Sequence, residues 1–245
     1  MGIGIISGAS SGIGKALAFE FDLLGLEEIW LIARREDKLN EIKEKLKTPA
    51  KCFALDLVDD ATFNIIKNTL EKSQASIDYL AICAGVGYTG TVEKNTDTQI
   101  ASMVDLNCRA LTLLINTTLP YISNGGKIIN LASGAGFLPQ ADFAVYAATK
   151  AYVISLSRAL KKELKERKIS VCAVCPGPVD TEFFGKLENV KEYKKKYLIS
   201  PELVAKKAVR AAKKNKAICT PTLSMKMLHA FTKILPSALL LKFAK

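Results

Sequence analysis

A short apolar stretch, Ile3–Ser7, runs straight into the glycine-rich turn Gly8-Ala9-Ser10-Ser11-Gly12-Ile13-Gly14, where a helical pattern opens. No other feature limits the fold as tightly, because the same alternation of apolar strand and amphipathic helix then repeats along the chain. Further strands are expected at Glu28–Ala33, Lys51–Leu55, Ile77–Cys83, Gly126–Ala132 and Ile169–Cys175, with a short last one near Lys216–Cys219. Helical periodicity covers Ile13–Leu24, Asp37–Leu46, Asp59–Lys72, Asp97–Tyr121 and Phe143–Arg167, and two lysine-rich helices are expected after the sixth of these strands. Strands that are apolar throughout, each followed by a helix, belong in a parallel sheet covered on both faces. No linker rich in Gly, Pro or Ser divides the 245 residues, and no internal repeat is visible. The expected fold is α/β: one doubly wound domain over 1–221, carrying an apolar helical extension over 222–245.

Composition narrows the function classes. With 49% hydrophobic and 24% charged residues the chain can build a core without staples. The six cysteines are scattered, unlike a secreted disulfide framework. Cys172 and Cys175 form a C-x-x-C, but they sit in the apolar run Val171–Cys175 with no second ligand pair, so a buried strand is expected rather than zinc. The single histidine, His229, excludes His-rich metal sites, and no metal is expected. No secretory leader and no spanning segment of about 18 apolar residues is read, so a cytoplasmic protein with reduced thiols is expected. The net charge is +11, with basic clusters at Lys161–Lys168, Lys191–Lys196 and Lys206–Lys216. Such clusters attract anionic partners. Only Tyr193 and Tyr197 interleave with them, which argues against nucleic-acid binding.

Glycines between a strand and a helix permit a tight turn and let backbone N–H groups approach an anion at the helix N-terminus. The spacing here is G-x-x-x-G-x-G, not the literal G-x-G-x-x-G of the common dinucleotide fingerprint. An acidic residue about 20 positions after the glycines would bind a ribose 2′-hydroxyl, whereas arginine there suits a 2′-phosphate. That place is taken by Arg34, next to Arg35. A guanidinium pairs with two phosphate oxygens, and Ser10 and Ser11 can donate to the same group. NADP(H) is therefore favoured over NAD(H). Gly8-Ala9-Ser10-Ser11-Gly12 also satisfies G-x-S-x-G, the nucleophile elbow of serine hydrolases, with His229 as its sole candidate base. Two points weigh against that alternative: the loop ends the first strand rather than a later one, and Gly14 is left unexplained.

Tyr146 and Lys150 lie four apart in a helical pattern, so their side chains share a face. A phenol has a pKa of about 10, and a neighbouring ammonium lowers it toward the range useful for acid–base work. Ser133 follows the strand ending at Ala132, at the edge where ligands of open α/β sheets bind. Asn107 interrupts an apolar helical stretch, and Pro176-Gly177-Pro178-Val179-Asp180-Thr181 follows the sixth strand at that same edge.

Taken in order, these motifs resemble the short-chain dehydrogenase/reductase family over residues 2–221. The resemblance rests on Gly8, Gly12 and Gly14, on Asp56 within Ala54-Leu55-Asp56-Leu57, and on Ala84-Gly85, Asn107, Ser133, Tyr146, Lys150 and Pro176-Gly177. It implies a Rossmann-type sheet of seven strands. It implies further that Tyr146 exchanges a proton with the substrate oxygen while the nicotinamide exchanges hydride. Lys150 would bind the nicotinamide ribose and depress the Tyr146 pKa, Ser133 would orient the substrate oxygen, and Asn107 would hold a water in the proton relay. Pro176, Gly177, Val179 and Thr181 would contact the carboxamide, and Asp56 with its neighbour Leu57 the adenine. The glycine loop with Ile13, and Ala84 with Gly85, would contact the remaining dinucleotide. The family usually carries Asn-Asn-Ala-Gly after the fourth strand, where this chain has Ile82-Cys83-Ala84-Gly85.

Substrate choice is expected from Glu182–Tyr197, where Phe183, Phe184 and Leu187 can line an apolar pocket, and from the tail. The tail carries Met225, Leu228, Phe231, Ile234, Leu235, Leu239 and Leu240 among Lys226, Lys233 and Lys242, with Pro236 opening a second short helix. Such a segment can lie on an anionic membrane, meet a second subunit or pack over the cleft. The expected activity is interconversion of a carbonyl and a secondary alcohol on a small apolar, acyl or steroid-like, substrate by a homodimer or homotetramer. The alternative is a cofactor-binding regulator without turnover.

Overall fold

The computed structural model describes residues 2–185 and 198–234. Seven strands, β1 (Ile3–Ser7), β2 (Ile29–Ala33), β3 (Ala50–Ala54), β4 (Ile77–Ile82), β5 (Ile122–Leu131), β6 (Ser170–Val174) and β7 (Ile218–Cys219), form one sheet in the order β3-β2-β1-β4-β5-β6-β7. Every adjacent pair is parallel. The helices are α1 (Gly12–Asp22), α2 (Glu36–Lys43), α3 (Ala61–Ser73), α4 (Asp97–Val104), α5 (Leu111–Thr118), α6 (Ala144–Glu163), α7 (Glu182–Gly185), α8 (Pro201–Lys213) and α9 (Leu223–Ile234). This is the expected doubly wound, Rossmann-type architecture.

Period-two alternation in the strands builds two cores, one on each side of the sheet. Ile3, Ile5, Trp30 and Ile32 point to one face, and Ile6, Ile29 and Leu31 to the other. Trp30 is fully buried and meets Phe53 at 5.0 Å between ring centres. Removing a side chain of that size from water stabilises the fold by roughly 4–6 kcal/mol at about 25 cal/mol per Å². Cys172 is buried in β6 and Cys175 directly after it; both are free thiols, and the Cys175 N–H donates to the Cys219 carbonyl at 2.8 Å.

Two expected elements differ. The single helix over Asp97–Tyr121 is broken: a π-helical turn, Asp105–Ala110, separates α4 from α5, and a 3-10 turn at Leu119–Tyr121 contains Pro120. Strand β5 begins at Ile122, not Gly126, because Ile122 pairs with Ile77 and the apparent turn Asn124-Gly125-Gly126 is absorbed as an irregularity in that ladder. Of the two lysine-rich helices, α8 is one; the Lys191–Lys196 cluster, with Tyr193, Tyr197 and Leu187, lies outside the described residues, as does the tail from Leu235 with Pro236, Leu239, Leu240 and Lys242.

Strand β1 connects to β2 on one side of itself and has β4 on the other, so the chain reverses its winding direction between β1 and β4. Ligands of open α/β sheets bind in the crevice at such a switch point, beyond the C-terminal strand ends.

Candidate active site

A cleft of about 1500 Å³ opens at that edge. It is lined by Gly8, Ser10, Ser11, Gly12, Ile13, Gly14, Arg34, Arg35, Asp56, Leu57, Ala84, Gly85, Ser133, Tyr146, Lys150, Pro176, Gly177, Val179 and Thr181. Of the catalytic and cofactor-binding residues expected from the sequence, Asn107 is the one that stands behind the cleft wall. The strand order brings the rest together from the ends of β1, β2, β3, β4, β5 and β6, with Tyr146 and Lys150 supplied by α6.

The glycine loop is shaped by contacts that no side chain would permit. Gly8 has φ +67°, and a Cβ there would come within 2.6 Å of the Ala84 nitrogen. A Cβ on Gly14 would stand 2.2 Å from the Gly8 carbonyl oxygen, so α1 can start this close to the turn only with glycine. Ser11 caps α1 without a side-chain hydrogen bond, and the first turn carries no acidic residue. Its N–H groups, at the positive end of the helix dipole, are matched to an anion. This cradle fits the pyrophosphate of a dinucleotide.

Beyond β2, Arg35 donates to the Ser10 hydroxyl at 3.1 Å and pairs with Glu182 at 2.9 Å. Arg34 is largely exposed and stands 3.8 Å from Asp56. The Ser10 hydroxyl is thus held by Arg35, whereas His229 stacks on Phe137 at 4.6 Å. The hydrolase alternative needed those two residues as a pair, and they are committed to different neighbours.

Helix α6 presents Tyr146 and Lys150 one turn apart, both more than nine-tenths buried. The Lys150 ammonium donates to the Leu131 carbonyl at 2.9 Å and lies 5.6 Å from the centre of the Tyr146 ring. Ser133 caps the 3-10 turn Gly134–Phe137, its Oγ accepting from the Ala135 N–H at 3.1 Å. Phe143 stacks on Tyr146 at 4.3 Å and Phe183 leans on it at 5.7 Å. Burial pushes the Tyr146 phenol up to about 12, against a hydrogen bond to Ser133 that pulls it down. Burial likewise pushes Lys150 down to about 8. The expectation of a phenol made more acidic by its neighbour is corrected here, because desolvation of the phenolate among aromatic rings outweighs the hydrogen bond.

Asn107 sits in the π-helical turn and is buried. Its Oδ1 accepts from the Val86 N–H at 2.9 Å, and its Nδ2 donates to the Val86 carbonyl at 2.8 Å and to Thr149 Oγ1 at 3.0 Å. Thr149 in turn donates to the Tyr146 carbonyl at 2.8 Å. Both amide donors are therefore used in clamping the segment after β4 to α6, and one lone pair on Oδ1 is left to receive a water. Sequence reasoning did not single out Thr149 or Val86; a polar residue inside Tyr146–Lys150 on the buried side of the helix was the available signal. It also did not single out Phe143, taken only as a helix boundary, or the Arg35–Glu182 pair, whose members are 147 positions apart. Phe183 and Phe184 line the cleft as expected, and Met225 and Leu228 of α9 close it from the tail.

A profile of the family described as short chain dehydrogenase matches residues 3–192. The chain belongs to the short-chain dehydrogenase family. It is 35% identical over 181 residues to an uncharacterized oxidoreductase of Staphylococcus epidermidis, covering 73% of this chain and 78% of that protein. It is 32% identical over 217 residues to the NADP-dependent 3-hydroxy acid dehydrogenase of Schizosaccharomyces pombe, covering 82% and 83%. Among solved structures, a short-chain dehydrogenase from Sphingobium yanoikuyae in complex with NADPH superimposes with a TM-score of 0.82 at 26% identity, covering 95% of this chain and 94% of that one. This short-chain dehydrogenase is accordingly an NAD(P)-dependent oxidoreductase. Among the described residues, no helix is long and apolar enough to cross a membrane.

Proposed function

We propose that this short-chain dehydrogenase reduces an apolar ketone or oxoacyl substrate to its secondary alcohol with NADPH, and runs the reverse reaction with NADP⁺. The carrying observation is the convergence of Ser133, Tyr146 and Lys150, walled by Phe143 and Phe183, in the cleft that begins at the glycine loop. A bound nicotinamide supplies or accepts the hydride. The protein's part is to hold the substrate oxygen and move its proton. Ser133 donates a hydrogen bond to that oxygen, and Tyr146 gives it the phenolic proton as the carbonyl carbon becomes an alcohol carbon. A phenol held near 12 is fully protonated at neutral pH, which suits the reductive direction. Lys150 stabilises the phenolate left behind and is anchored for that by the Leu131 carbonyl. The first-turn N–H groups of α1 would bind the pyrophosphate, and Asp56 and Leu57 the adenine side. Val179, Thr181, Pro176 and Gly177 would border the nicotinamide.

Support for NADP(H) comes from Arg34 and Arg35 where a carboxylate would otherwise select NAD(H), with Ser10 beside them. The name of the fission-yeast relative agrees with the cofactor and gives a 3-hydroxy acid as that protein's substrate. The reading includes a single catalytic domain over 1–221 with the tail as an extension, working in the cytoplasm as a homodimer or homotetramer.

The test is a panel of ketones followed through NADPH absorbance, with Tyr146→Phe alongside. Turnover should fall by about two orders of magnitude or more, as loss of a positioned acid implies, while NADPH affinity by fluorescence stays within about twofold. Turnover that survives the substitution would remove Tyr146 from the chemistry and the proposal with it.

A further inference from the structure

Helix α9 is apolar on two sides. Its inner side, Met225, Leu228, His229 and Thr232, faces the domain: Met225 and Leu228 line the cleft and His229 stacks on Phe137. Its outer side carries Leu223, Met227, Phe231 and Ile234, which are 72%, 51%, 52% and 78% exposed. Spacings of four, four and three put these four on one stripe of the helix. Isolated exposed apolar residues are ordinary, but a contiguous stripe of four marks a surface that is covered in use.

Charge decides what covers it. Lys226 and Lys233, seven apart, run along one flank of the stripe. From Leu203 to Lys245 the chain holds ten lysines and arginines and no aspartate or glutamate. Arg158 of α6 adds another cation beside His229. A second copy laid on this face would bring two carboxylate-free basic segments together, which repel. An anionic bilayer presents the opposite charge, takes the apolar stripe into its acyl boundary, and lets the lysines reach the headgroups.

We infer that the outer face of α9 docks this protein onto an anionic lipid surface. The docked helix sets the cleft it roofs at the bilayer. Entry of an apolar substrate directly from lipid follows if the proposed activity holds, and that clause alone rests on it.

The experiment is co-sedimentation of the full chain with phosphatidylcholine vesicles and with phosphatidylcholine–phosphatidylglycerol vesicles, at low and high salt. The chain should bind the anionic vesicles, bind the zwitterionic ones at least about tenfold more weakly, and lose affinity as salt rises. The combined variant Met227→Ser, Phe231→Ser, Ile234→Ser changes only exposed side chains and should unfold at the same temperature, yet bind at least about tenfold more weakly. Lys226→Glu with Lys233→Glu should do the same on anionic vesicles only. No binding by the natural chain, or equal binding by the triple variant, overturns the inference. So does a triple variant that drops to a smaller assembly in sedimentation velocity while the natural chain ignores vesicles, since the stripe is then a subunit contact. None of these readouts uses turnover, so failure here is separable from failure of the proposed activity.

Discussion

At Tyr146 and Lys150 the cost of burying a charge acts in opposite senses, lifting the phenol to about 12 and lowering the amine to about 8. The ammonium, which in the proposed reaction steadies the developing phenolate, is therefore present below about pH 8 and lost as pH rises through it. The phenol keeps its proton throughout that range, so of these two groups Lys150 is the one that titrates there. Ketone reduction should fall on the alkaline side with an apparent pKa near 8, and the residual activity of Lys150→Arg, whose charge does not titrate, should stay flat there. An alkaline limb that is the same in both would assign it to another group. The proposed preference for NADP(H) also turns on single residues. Arg34 is tied to Asp56 only at 3.8 Å, while Arg35 is already engaged by Ser10 and Glu182. Arg34→Ala should cut the NADPH-to-NADH ratio of kcat/KM by about ten- to a hundredfold, the worth of one charge-assisted pair. An unchanged ratio would deny Arg34 a part in holding the 2′-phosphate.

Among the elements, the π-helical turn at Asp105–Ala110 does what a regular helix in that place would not. It turns Asn107 toward Val86 and Thr149 and so links the segment after β4 to the helix that carries Tyr146. Such turns are frequent at functional sites. Asn107→Ala leaves the half-buried Val86 N–H and carbonyl without their partner, at a cost of about 1–3 kcal/mol. For a chain of this length that lowers Tm by roughly 2–12 °C, measurable by calorimetry. Asn107→Asp keeps the acceptor for the Val86 N–H but loses both donors, to the Val86 carbonyl and to Thr149, and sets a carboxylate oxygen against that carbonyl, so it should also melt below the natural chain. If the alanine variant melts with the natural chain, the clamp carries no weight. The break was not legible beforehand, because Met103, Val104, Leu106, Leu111 and Leu113 read as one amphipathic run through Asn107.

Across the whole molecule, what could be read from the chain and what could not divides by distance along it. Strand and helix alternation, the all-apolar strands that demand cover on both faces, the glycines at Gly8 and Gly14, and the four-residue step from Tyr146 to Lys150 are relations among neighbours, written in local pattern. They determined the doubly wound sheet, the phosphate turn and the pairing of phenol with amine. The start of β5 escaped because Asn124-Gly125-Gly126 looks like a turn locally, and its pairing with Ile77 is visible only in the sheet. The Arg35–Glu182 pair, the Asn107 clamp and the placement of Met225 against Gly134 join residues far apart. Only the strand order, which carries six strand ends to one crevice, makes those residues neighbours. Folding likewise decided the proton affinities of Tyr146 and Lys150: sequence spacing brought the two together, but the burial that desolvates them exists only in three dimensions.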